Sequence, residues 1–149
     1  MVKKASRRSR RSNSTRIRSV GSAAWQNYLR RAQQTLQAMQ HSADKGNWAA
    51  VAAIAPVCAI AAADAVVAHV AGIAAKDADH AMAVELLLAH GSELDGVRQA
   101  AQHLRRLLER KTMAQYGERP ITASMAQDML THAEQLVAWV EGQLKDPFK

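Results

Sequence analysis

Residues 47–75 read NWAAVAAIAPVCAIAAADAVVAHVAGIAA, and this stretch decides the fold. Ala, Val and Ile occupy every face of a helical period here, and a helix that is apolar all round must be enclosed by others. Asn47 is placed to cap its start, and Gly72 to stop it before about Ala75. The stretch is also long enough to span a bilayer. Against that, Asp64 and His69 sit near its middle, Pro56 interrupts it, and alanine drives insertion weakly. We therefore read it as the buried central helix of a bundle, with no membrane involved.

The flanking segments supply what such a helix needs. Trp25, Leu29, Ala32, Leu36 and Met39 recur at alternating four and three spacing, which predicts an amphipathic helix over about 23–42. After the central helix, Asp79 can cap a short helix through Leu88 that stops at His90-Gly91. Ser92 and Asp95 have the spacing of a capping box, which would start a fourth helix running to about Gln115 on a stripe of Leu94, Val97, Ala101, Leu104 and Leu108. Residues 116–120 form the clearest break. Thr122 then caps a fifth helix with Met129, Leu130, Ala133, Leu136, Val137, Val140 and Leu144 inward. No stretch alternates strictly enough to predict a strand. The expectation is an all-α, five-helix antiparallel up-and-down bundle over residues 23–149, since short connections make neighbours antiparallel.

Residues 1–22 have a different character. Lys3, Lys4, Arg7, Arg8, Arg10, Arg11, Arg16 and Arg18 are 8 of the 20 Lys and Arg, and the other 12 face all 13 Asp and Glu. The formal charge of +7 thus belongs to an arm, while the rest of the chain is close to neutral. An Arg/Ser-rich segment without a core predicts a disordered arm that engages a polyanion through its phosphates. It has no aromatic residue with which to stack bases, so little sequence preference follows, and the expected partner is a nucleic acid, DNA or RNA. The arm has neither the apolar run of a secretory signal nor the amphipathic stripe of a transit peptide, which fits a cytoplasmic protein.

Chemistry-bearing residues are few. Cys58 is the only cysteine, which removes intrachain disulfides and reads as a packed thiol. The six histidines show no two-His helical spacing, so no metal is expected, and no glycine-rich nucleotide loop or nucleophile elbow occurs, so no cofactor or catalytic residue is assigned. Arg98 and His103 are separated by five residues of helix, about 140° around the axis, and point to different faces. Trp25, Trp48 and Trp139 have aliphatic neighbours and are expected to pack. Asp64, inside the apolar helix, calls for a cation, and Arg110 or Lys111 at the end of the fourth helix are the expected partners. The result is either a buried ion pair that fixes helix register or the floor of a nucleotide or phosphate pocket in which Arg106, Arg110, Lys111 and Tyr116 face the anion.

Two segments read together carry a resemblance. The first is Ala62-Ala63-Asp64-Ala65 with the helix starting near His80; the second is residues 107–117, ending in Lys111-Thr112-Met113-Ala114-Gln115-Tyr116-Gly117, followed by Pro120-Ile121-Thr122 and by Ala133-Glu134. Over residues 23–145 the chain resembles the HEPN family of helical bundles. Many members show an Arg, two residues and then Ala-Asp-Tyr where this chain has Lys111, Ala114, Gln115 and Tyr116. The resemblance implies a homodimer. Its ribonuclease branch uses an Arg followed four to six residues later by a His, whereas here Arg110 is followed six positions later by Tyr116, which departs from catalysis by that route. The expectation is thus a non-enzymatic nucleic-acid-binding protein. A HEPN-type ribonuclease toxin or toxin–antitoxin partner, and a protein-interaction adaptor, are the alternatives.

Overall fold

The computed structural model describes residues 17–76 and 80–145; the side chains of His80 and of residues 110–116 lie outside that description. In chain order the elements are β1 (Ile17–Ser19), α1 (Ala24–Asp44), α2 (Trp48–Ala71), β2 (Ile73–Ala75), α3 (His80–His90), α4 (Val97–Tyr116) and α5 (Ala123–Leu144).

The apolar helix is the axis of the bundle. α2 packs against each of the other four helices, and thirteen of its residues, from Val51 to Ala68, are buried. It is long and apolar enough to cross a membrane, and 67% of its most apolar window is buried within the bundle. Its many alanines let neighbours approach closely, while Leu29, Met39, Leu87, Leu104, Leu107, Met129 and Leu136 fill the space around it. Each such side chain removed from water contributes roughly 1.5–3 kcal/mol. The three tryptophans lean on this core, as expected. Cys58 is fully buried, with its thiol donating to the Ala32 carbonyl at 3.4 Å, and burial pushes its pKa up to about 11.

Two expectations about chain path need correction. The first is the absence of strands. Ile17, Arg18 and Ser19 pair antiparallel with Ala75, Ala74 and Ile73, and the Val20 amide continues the ribbon to the Gly72 carbonyl at 2.9 Å. Gly72 makes this possible: at φ +67° it ends α2 in the left-handed conformation and turns the chain back alongside the arm. Residues 17–20 therefore belong to the bundle, and the basic arm meets it before residue 22. The second is the start of α4. Ser92 and Asp95 lie in turns and the helix begins at Val97, because Gly96 adopts φ +83°, outside the helical region. Thr122 does cap α5, accepting from the Met125 amide at 3.2 Å, whereas Asn47 makes no side-chain cap.

Candidate functional site

α1 is amphipathic, and its first turns present aromatic residues toward the β ribbon. Tyr28 is buried through its ring, which leaves the hydroxyl as its polar handle at the edge. The Arg18 guanidinium, carried there by β1, donates to that hydroxyl at 2.8 Å. One turn along α1, Arg31 lays its guanidinium carbon 5.7 Å from the centre of the Tyr28 ring. Asp64 enters from α2. Burial pushes its carboxyl up to about 6, and the positive charges of Arg18 and then Arg31 pull it partly back. Beside this group, Trp25 meets His69 edge to face, with ring centres 4.9 Å apart.

Two cations therefore converge on one phenol with a single carboxylate behind them. At neutral pH the group keeps about one net positive charge, and protonation of Asp64 raises it. Such an arrangement suits a phosphate or another oxyanion: the guanidinium groups offer paired N–H donors, and Tyr28 holds them in place.

The expected residues distribute unevenly around this site. Arg18 is in it. Lys3, Lys4, Arg7, Arg8, Arg10, Arg11 and Arg16 lie outside the described residues, as do the side chains of Arg110, Lys111 and Tyr116. Among the described residues, the cations acting on Asp64 come from β1 and α1 rather than from α4. Arg106, expected beside Asp64, is exposed on α4, where its charge acts on His103. Arg31 and Tyr28 were missed by sequence reasoning. Their signal was weak: an Arg three residues after a Tyr is common on any helix, and only the ribbon brings Arg18 to the pair.

A second constellation joins residues far apart in the chain. His103 of α4 and His132 of α5 face each other, Nδ1 to Nδ1, at 2.9 Å. His132 turns its Nε2 toward the Asp128 carboxylate at 3.6 Å. Arg98 is exposed, while His103 is directed at α5, so Arg98 and His103 do not form a pair. Among the described residues there is no cluster of three or more metal-ligating side chains.

The model of the HEPN domain matches residues 25–143, most of the chain and all five helices. The chain belongs to the HEPN domain family. No curated protein matches it closely enough to count as a relative. Within this HEPN domain, Arg31, Tyr28 and Asp64 fall inside the matched region, whereas Arg18 and the arm lie before it. The Arg18–Tyr28–Arg31 cluster is thus built where the matched HEPN region meets a segment outside it.

Proposed function

We propose that this HEPN protein binds nucleic acid without catalysis, through the basic arm together with the Arg18–Tyr28–Arg31 cluster. The observation that supports the reading is the placement of Arg18: hydrogen-bonded to Tyr28 and held in the ribbon, it makes the root of the arm continuous with a cationic site on the bundle. A phosphate backbone tracking the arm would run onto Arg18 and Arg31. Charge is the main thing such a surface reads, so DNA and RNA are both ligands and sequence preference is small. Homodimerisation belongs to the same proposal. Ala53 and Val57 are exposed one turn apart on α2, and a two-fold pair closing over them would bring two arms to one polymer and raise avidity.

The test is binding of mixed-sequence duplex DNA and of RNA by fluorescence anisotropy over a range of salt. Six to eight phosphate contacts give a slope of log affinity on log salt of roughly −5 to −7 on duplex DNA. Alanine at Arg7, Arg8, Arg10, Arg11, Arg16 and Arg18 together should remove most of the affinity, and equal binding at moderate salt would refute the role of the arm. A ribonuclease of the HEPN type would instead cleave RNA after residues 1–16 are deleted; we expect no cleavage by either form.

A further inference from the structure

We propose that His103 and His132 form a two-imidazole binding site for a transition-metal dication of the Zn²⁺, Ni²⁺ or Cu²⁺ kind, in the cleft between α4 and α5. This goes beyond the nucleic-acid reading and stands on different residues.

The two Nδ1 atoms are 2.9 Å apart on rings whose centres are 5.1 Å apart and inclined at 50°. An ion held about 2.0–2.1 Å from both nitrogens at this separation would see them at about 90°, the angle between neighbouring ligands in tetragonal and octahedral sites. Without a metal, the ring positions aim the nitrogens nearly at each other, as in an N–H···N hydrogen bond. The metal takes the place of that proton, which moves to Nε2 of the ring that carried it, and each ring turns by about 45° to bring its Nδ1 lone pair onto the ion.

The surroundings are those of a ligand pair. Asp128 stands behind His132, its carboxylate 3.6 Å from Nε2, so that a small shift would complete the carboxylate–histidine hydrogen bond that orients an imidazole toward a metal on the other nitrogen. Gln99 lies one turn before His103 and Gln135 one turn after His132, and with His103 they line a cleft of about 290 Å³, which His132 meets through its contact with His103 rather than as part of the wall. Their amide oxygens can add to the two nitrogens, with water completing the shell. The His132 side chain is 18% exposed, so an ion can enter from solvent. Arg106, exposed on the same helix, places a positive charge near His103. Arg106 works against the cation itself, so the site should be moderate in strength.

Titration of the full chain with Zn²⁺ and with Ni²⁺ by calorimetry at pH 7.5 tests the proposal. One ion per chain should bind, more weakly by at least tenfold in His103→Gln and in His132→Gln, and about tenfold more weakly in Asp128→Asn. His41→Gln and His90→Gln should change nothing. Circular dichroism melts of each variant establish that it is folded. In the unaltered protein, sub-stoichiometric Cu²⁺ should broaden the His103 and His132 ring resonances first. A double His103→Gln, His132→Gln variant that binds as tightly as the parent, or selective broadening at other histidines, would leave a hydrogen-bonded pair only and overturn the site.

Discussion

The guanidinium of Arg18 and the hydroxyl of Tyr28, ten residues apart in the chain, meet at 2.8 Å. Through this bond a residue that composition assigns to the arm becomes part of the wall of the bundle.

Replacing Tyr28 by Phe keeps the buried ring and removes the acceptor. A net loss of about 1 kcal/mol is expected, because Arg18 can turn to water. The more telling effect is local. Amide exchange at Val20, whose N–H is bonded to the Gly72 carbonyl, should accelerate in Tyr28→Phe well before the rest of the protein opens, and unchanged protection there would show that the ribbon stands without the bond.

Asp64 gives a pH signature. Its folded value of about 6 lies above the ordinary value of 3.8, so folding takes up a proton between the two. The stability linked to this group is fully present below pH 4, falls as pH rises through 6 and is level above that. Asp64→Asn should therefore be nearly neutral at pH 4 and stabilise by about 1–3 kcal/mol at pH 7.5. Melting temperatures of parent and variant across that range should diverge upward in pH; a variant less stable than the parent at pH 7.5 would mean that the arginines more than offset the burial of the charge.

Gly96 holds α4 at its starting point. A Cβ there would lie 3.0 Å from the Trp139 indole nitrogen, and φ +83° is strained for any other residue. Gly96→Ala should cost about 1–3 kcal/mol and displace Trp139, whose N–H donates to the Asp95 carbonyl at 2.7 Å. Tryptophan emission in the folded state reports the displacement, and denaturant melts report the loss.

Val57 is 51% exposed on the most apolar helix of the protein. If two copies close over it, Val57→Asp should reduce the mass found by sedimentation at tens of micromolar from that of two chains to that of one, with little change in helicity. A parent that already sediments as one chain would remove the dimer.

The bundle was legible because its signals are local and repeated. The all-apolar run at 48–71, the stripe from Trp25 to Met39 and the Thr122 cap each follow from spacing alone. What escaped depends on three-dimensional closure. Ile17-Arg18-Ser19 and Ile73-Ala74-Ala75 are too short to carry a period of two, and only the left-handed turn at Gly72 puts them side by side. The Ser92–Asp95 spacing is a genuine cap pattern, but the conformation of Gly96 prevents a helix from starting before Val97. His103 and His132 are 29 residues apart on different helices, so their meeting is a product of how α4 packs on α5.

Because β2 follows α2 directly and β1 is stitched to β2, Ile17 is a stationary anchorage rather than a swivel. On the proposed nucleic-acid reading, a polymer bound by the basic residues before Ile17 would be delivered at that fixed point, beside Arg18 and Arg31. On that reading the ribbon would set a local concentration, and a flexible insert between Arg16 and Ile17 would dilute it without removing a single charge.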